Sequence, residues 1–280
     1  MNASNQNLNS TSGSAPIALT IAGSDSGGGA GIQADLKAFS ALGVYGASVI
    51  TAITAQNTIG VTAVHNIPDD VISAQIKAVL GDLNVRAIKI GMLSISSIIQ
   101  NIADDLKTFK GPVVLDPVMV AKSGDLLLQQ EAIETLRSTL IPVSALLTPN
   151  LPEAATLLGT EQAVTNEEMR HQAKKILELG CDAVLMKGGH SQGQECLDYL
   201  LMRDGTEKEW TAPRIETRNT HGTGCTLSSS IAAGLAKGMN LLQAIDQAHV
   251  YLHGAIKAAD QLQVGAGHGP VHHFHRWWKS

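Results

Sequence analysis

Short apolar runs that stop at glycine or at a polar residue alternate with stretches of helical periodicity through most of this chain. Residues 17–22 form the first run and end at Gly23. Residues 44–55, 61–67, 86–91, 113–115, 145–147 and 183–186 form others. Between them, residues 32–42, 68–80, 94–110, 131–139, 152–158 and 166–179 read as helices, with apolar side chains at three-to-four spacing. Such alternation predicts an α/β fold: a three-layer αβα sandwich with a mostly parallel central sheet. Residues 196–202 and 208–211, joined across Asp204-Gly205, read as a hairpin with a type I′ turn. A last helix is expected over residues 241–259, with Leu241, Ile245, Ala248, Leu252, Ala255 and Ala259 on one face. No mid-chain linker or repeat interrupts the pattern. Residues 16–280 therefore read as one domain, and the polar residues 1–15 as a disordered tail.

Sheets of this class bind ligands outside the carboxyl ends of their strands. The polar and glycine-rich residues of this chain fall at those ends: Gly23, Gln56, Gly91-Met92, Asp116, Asn150 and Lys187. Net charge is −5 with no basic block, which argues against nucleic acid or an anionic membrane as partner. No apolar run approaches the roughly 20 residues that span a bilayer, and the N-terminal residues lack the apolar core of a signal peptide. The three cysteines, Cys181, Cys196 and Cys225, contain no C-x-x-C. That sparse set fits a reducing cytoplasm better than a disulfide framework.

The most informative stretch is Asn219-Thr220-His221-Gly222-Thr223-Gly224-Cys225-Thr226. It reads as a glycine-rich turn feeding a helix of small residues. A helix start has unpaired amides and partial positive charge and binds phosphate well. Gly222 and Gly224 allow close backbone approach. Cys225 would lie in the first turn, where the thiol pKa is expected to fall. The alternative is an ordinary turn before a core helix with an inert cysteine.

Other residues carry two readings each. Gly29-x-Gly31-x-x-Ala34 loosely matches the dinucleotide fingerprint, but residues 50–60 lack the acid that grips the ribose, and no Walker A loop exists. Asp35 either faces a small substrate or is a solvated helix residue. Asp116, Asn150 and Glu153 suit Mg²⁺, which takes one or two carboxylates with waters and phosphates; Asn150 and Glu153 equally suit a capping box. Lys187 either neutralises phosphate or is a surface lysine. Gln56 offers a donor and an acceptor to a heterocycle edge, or is a loop glutamine. His268, His272, His273 and His275 match no zinc pattern and read as a packed tail with Trp277 and Trp278.

Taken together and in order, residues 20–37 (TIAGSDSGGGAGIQADLK), 55–58 (AQNT), 89–93 (KIGML), 116–119 (DPVM), 148–153 (TPNLPE), 186–190 (MKGGH), 220–226 (THGTGCT) and 269–278 (GPVHHFHRWW) resemble the bacterial hydroxymethylpyrimidine/phosphomethylpyrimidine kinases of the ribokinase-like superfamily. The resemblance runs from about residue 16 to the end. It implies a cytoplasmic homodimer that uses ATP and Mg²⁺ for two phosphorylations in thiamine biosynthesis. The hydroxymethyl group of 4-amino-5-hydroxymethyl-2-methylpyrimidine is phosphorylated, and then the monophosphate. By that resemblance, Gln56 reads the pyrimidine edge and Gly23, Asp35, Met92 and Val118 line its pocket. Asn150, Glu153 and Asp116 belong to the metal and phosphate site. Lys187, Thr220 and Thr223 lie on the ATP side, and Gly222, Gly224 and Cys225 form the anion hole. Sugar kinases of the superfamily usually carry aspartate where this chain has Cys225. A pyridoxal/pyridoxine kinase, a thiazole kinase and a non-catalytic metabolite binder are the competing readings; the thiazole kinases lack the counterparts of residues 27–35 and of Gln56.

Overall fold

Alternate residues of the apolar runs are buried on opposite sides of one sheet. Ile88 and Ile90 enter one core and Ala87 the other; Val113 and Leu115 oppose Val114; Val184 and Met186 oppose Ala183 and Leu185. A strand that is apolar on both faces needs helices on both sides. The computed structural model describes residues 14–119, 127–190 and 194–278. Most of the expected polar tail, and residues 121–125 (AKSGD), which read in sequence as a glycine-containing loop, lie outside the described residues.

The strands are β1 (Ile17–Asp25), β2 (Tyr45–Gln56), β3 (Val61–Asn66), β4 (Val85–Ile90), β5 (Val113–Leu115), β6 (Leu146–Leu147), β7 (Ala183–Lys187), β8 (Glu195–Met202) and β9 (Glu207–Pro213). They pair in the order β3-β2-β1-β4-β5-β6-β7-β8-β9. The strands from β2 to β7 in that order are mutually parallel, while β3, β8 and β9 extend the sheet by antiparallel pairing. Helices α2 (Asp69–Asp82), α3 (Ser96–Asp105), α4 (Gln130–Thr139), α5 (Leu151–Leu158) and α6 (Asn166–Leu177) pack on one face. Helices α1 (Gly31–Ala41), α7 (Thr223–Ala236) and α8 (Leu241–Lys257) pack on the other. This is the three-layer αβα sandwich that the alternation predicts. Each fully buried Ile or Leu in these layers contributes about 1.5–3 kcal/mol.

The chain runs from β1 outward to β2 and β3, then crosses back to β4 on the other side of β1. Strand order therefore reverses between β1 and β4, and a crevice opens beyond their carboxyl ends. Helix α7 packs over β1, β4 and β5 at that point. It is buried on nearly every side, which its Ala, Ser and Gly side chains permit; a Cβ on Gly234 would lie 2.8 Å from that of Ala244 in α8.

Two local expectations change. The β8–β9 connection is not a type I′ turn, which needs positive φ at both central residues. Only Gly205 has positive φ (87°), and Gly205 N–H donates to the Met202 carbonyl while Met202 N–H donates to that of Thr206. The C-terminal histidines do pack, with His272 and His273 buried, but Trp277 and Trp278 are exposed.

Candidate active site

Helices α5, α6 and α8 each begin with a capping box: Asn150 with Glu153, Thr165 with Glu168, and Asn240 with Gln243. Helix α7 does not. Its N-cap is Gly222, which has no side chain to cap with. The amides of Gly222, Gly224 and Cys225 take no acceptor among the described residues. Three unpaired donors at the positive end of a long helix form an anion site. Gly222 must be glycine: its φ is +79°, and a Cβ would lie 1.9 Å from the Gly29 carbonyl oxygen.

A cleft of about 1560 Å³ runs along the strand ends to this helix start. Sites for one small ligand usually span about 300–1000 Å³, so this one has room for two. Gly23, Gln56, Met92 and Val118 line it, as do Asp116, Asn150, Glu153, Lys187, Thr220, Gly222, Thr223, Gly224 and Cys225. A Cβ on Gly23 would meet the Met92 sulfur at 2.9 Å, so these two residues share one wall.

Lys187, at the end of β7, aims its ammonium at the anion site. Its Nζ is 2.8 Å from Asp116 Oδ1 and 3.7 Å from Glu153 Oε2, and 3.3 Å from where a Cβ of Gly224 would sit. Burial works against this charge, but Asp116 and Glu153 outweigh it and raise the Lys187 pKa. Asp116 is anchored on all sides: Thr148 Oγ1 donates to its Oδ1 at 3.1 Å and Ser228 Oγ of α7 to its Oδ2 at 3.2 Å. Burial pushes Asp116 upward, yet Lys187 and Lys89 prevail and hold it below the usual carboxylate range. Glu153 is raised to about 7, mainly by burial, with Lys187 opposing and Asp116 adding. The two carboxyls are thus driven apart, one ionised and one poised near neutrality.

Asn150 holds the helix-capping role, its side-chain oxygen accepting from Glu153 N–H at 2.8 Å. Glu153 Oε2 accepts from Asn150 N–H at 2.8 Å, and its Oε1 takes no donor among the described residues. Those residues contain no cluster of three or more His, Cys, Asp or Glu side chains for a metal.

Asp35 does not line the cleft. It is fully buried under α7, where Lys89 Nζ donates to its two oxygens at 3.0 and 2.8 Å and Thr20 Oγ1 donates at 2.6 Å. It lies on the same face of α1 as Ile32 and Phe39, the face that meets the sheet. So it is neither a pocket residue nor a solvated one. Burial raises the Asp35 carboxyl while Lys89, paired with it at 2.8 Å, pulls it back.

Cys225 also departs from expectation. The thiol is half-buried at the cleft. Burial pushes it up to about 11, and Asp35 and Asp116 add to this against the opposing pull of Lys89. It is a neutral thiol near pH 7, not a thiolate.

Three residues were not singled out by sequence. Lys89 stands in a buried parallel strand, where a lysine needs a carboxylate partner. The other two are Asp25 and His221. Asp25 fills the first glycine-rich loop: the N–H groups of Gly27, Gly29 and Ala30 donate to its carboxylate at 2.8, 3.0 and 2.8 Å, and His221 Nε2 lies 2.8 Å from it. Burial raises Asp25, but His221 and these amides outweigh it and hold the pKa low. The loop's amides therefore face the protein's own carboxylate and not a phosphate.

An open anion site with a lysine, one ionised carboxylate and a facing carboxamide is a phosphoryl-transfer arrangement. A family model described as phosphomethylpyrimidine kinase matches residues 25–272. The chain belongs to this family. A phosphomethylpyrimidine kinase relative from Rhizobium meliloti (strain 1021), named hydroxymethylpyrimidine/phosphomethylpyrimidine kinase, is 60% identical over 264 residues, 94% of this chain and 99% of that one. The thiamine biosynthesis bifunctional protein of Geobacter sulfurreducens is 47% identical over 258 residues, 91% of this chain and 51% of that protein. Among solved structures, the ADP complex of Bacillus subtilis pyridoxal kinase superposes with a TM-score of 0.87 at 38% identity, covering 95% of this chain and all of that one (100%).

Proposed function

We infer that this phosphomethylpyrimidine kinase family member is a cytoplasmic phosphotransferase of thiamine biosynthesis. It phosphorylates the hydroxymethyl group of 4-amino-5-hydroxymethyl-2-methylpyrimidine, then the monophosphate, with ATP as donor. The observation that carries this is the uncapped start of α7, with Lys187 beside Gly224 and Gln56 across the same cleft. Phosphoryl transfer is mostly positioning and charge stabilisation. The free amides of Gly222, Gly224 and Cys225 and the Lys187 ammonium supply fixed positive potential, with Thr220 and Thr223 beside them on the ATP side. Gln56 orients the heterocycle, with Gly23, Met92 and Val118 as apolar wall.

Mg²⁺ fits this site in a limited way. Glu153 would hold it through Oε1, with Asp116 close by and Asn150 fixing the Glu153 backbone, and a cation there would draw the Glu153 proton off. When bound, Mg²⁺ neutralises phosphate oxygens. With so few protein donors, most of its ligands would come from water and phosphate.

The homodimer belongs to the same reading. Tyr45, Ile53 and Val64 expose 59%, 49% and 45% of their surface on the β2–β3 edge, an apolar area that suits a second copy. Sedimentation at micromolar concentration measures it, and a monomer there rejects it. No helix among the described residues is long and apolar enough to cross a membrane.

ADP release from ATP and Mg²⁺, with each candidate alcohol in turn, tests the assignment. Turnover with the aminopyrimidine and its monophosphate is expected; turnover with neither rejects it. Turnover with pyridoxine instead supports the second reading, which the likeness to pyridoxal kinase favours.

Cys225 could accept the hydroxyl proton only through its minor thiolate form, and on that role Cys225→Ala is expected to slow the first transfer about 10²-fold, the lower end for a lost general base, and the second much less. The second acceptor is a phosphate, already ionised near neutrality. Because the thiol titrates at about 11, a base role also predicts a first-step rate that rises with pH above neutrality. Equal losses in both transfers would reduce Cys225 to a member of the anion site.

A further inference from the structure

Among the described residues the Gln56 carboxamide has two hydrogen-bonding neighbours, Thr54 and His221, and both constrain it. The carboxylate of Asp25, held ionised by three amides, has no proton to give. The 2.8 Å contact with His221 Nε2 therefore needs that nitrogen to carry the hydrogen and donate. His221 Nε2 then has no lone pair left, and the end of Gln56 that lies 3.4 Å from it cannot donate to it. On the other side, Thr54 Oγ1 has one proton. It goes to the Ser24 carbonyl at 2.8 Å, which can only accept. Toward the end of Gln56 that lies 3.1 Å away, Thr54 Oγ1 is therefore an acceptor.

With Oε1 beside Thr54 and Nε2 beside His221, one hydroxyl proton would have to serve two carbonyls, and two N–H donors would face each other. The two ends of a carboxamide are nearly isosteric, so donor and acceptor demands decide its orientation. Turning the group over removes both conflicts. Its amino end then donates to Thr54 Oγ1, and its carbonyl accepts a share of the His221 N–H.

We propose that Thr54 and the Asp25–His221 pair lock Gln56 with its oxygen toward His221 and its nitrogen toward Thr54, and that this lock decides which way round the pyrimidine binds. The proposal rests on the pyrimidine reading above. An aminopyrimidine edge presents a donor, the 4-amino group, next to an acceptor, the ring nitrogen. Against the locked carboxamide the amino group takes the His221 side and the ring nitrogen the Thr54 side. The 5-hydroxymethyl group is adjacent to the amino group on the ring. It is thereby placed on the side of His221, which directly precedes Gly222 and the anion site. The opposite carboxamide orientation would bind the same edge reversed and carry the hydroxyl away from Cys225. Thr54, Asp25 and His221 are positioning residues in this scheme; they act through Gln56.

The probe pair is 4-amino-5-hydroxymethyl-2-methylpyrimidine and its 4-oxo counterpart, whose edge exchanges donor and acceptor. Calorimetric affinities for both are measured on the wild type, Thr54→Val, His221→Phe and His221→Gln. The wild type is expected to prefer the amino compound by about 100-fold, from two mismatched buried groups. Thr54→Val and His221→Phe should bring that preference below about 10-fold and lower kcat for the amino compound more than they raise KM. His221→Gln keeps a donor for Asp25 and should retain most of the preference. Thr54→Val is isosteric, so it decides the matter even if His221→Phe, at a position where the imidazole packs on Gly29, does not fold. Unchanged discrimination in folded Thr54→Val protein overturns the lock alone. Failure of the wild type to bind the amino compound overturns the pyrimidine reading with it.

Discussion

A Lys187→Met enzyme is expected to keep its affinity for the pyrimidine and to lose about 10³-fold in kcat for both transfers, the scale of removing one preorganised charge or donor from a transition state. No hydrogen bond joins the side chain to Gln56, whose carboxamide meets Thr54 and His221 instead, so ground-state binding of the heterocycle is expected to be spared. The Lys187 ammonium stands at the open start of α7, 3.3 Å from the Cβ position of Gly224. Both transfers develop negative charge on the same phosphoryl group, so both should suffer alike, unlike the Cys225 variant. The fold should tolerate the change better than a buried ion pair usually does. Removing Lys187 strands Asp116 and Glu153 together, but Glu153 already sits near pH 7 and can relieve the repulsion by keeping its proton. Steady-state kinetics with each acceptor, beside a thermal melt, check this. A loss under tenfold would remove Lys187 from the phosphoryl site.

Lys89→Ala and Asp35→Ala should each destabilise the protein by about 3–5 kcal/mol, because each leaves an unpaired charge in a dry interior. For a chain of this length that is a fall in Tm of roughly 6–20 °C, at about 2–4 °C per kcal/mol. The double replacement Lys89→Met with Asp35→Leu fills the same space without charge and should recover most of the loss. Thermal unfolding of the three variants decides it. A double variant as unstable as the singles would show that the pair does more than neutralise itself, for example by holding Thr20 against α1 through the 2.6 Å hydrogen bond.

The fold was legible because parallel strands advertise themselves. Ile88 to Ile90 and Val113 to Leu115 are apolar on both faces apart from Lys89, and glycine or a polar residue marks each carboxyl end. Most of the site was legible for the same reason: residues at strand ends converge on one crevice whatever their individual chemistry. Side-chain partnership was not legible. Asp35 sits three residues after Ile32 and four before Phe39, which puts it on the buried face of α1, but only the register of β1 beside β4, pairing Thr20 with Lys89, reveals its partner. The Cys225 thiol was misread because local sequence shows the favourable helix dipole and not the burial, nor the carboxylates of Asp35 and Asp116, which arrive from residues far along the chain. His221 was in plain view within the key stretch, yet its role depends on Asp25, 196 residues earlier.

Helices α5, α6 and α8 close their own beginnings with a side chain, whereas α1 to α4, like α7, have no such cap. Helix α7 is left unfinished. In the proposed site, a phosphate at Gly222, Gly224 and Cys225 would meet donors that no described residue satisfies, and so would complete the helix from outside. On that proposal the substrate would take part in the architecture, supplying the cap that α7 lacks among the described residues.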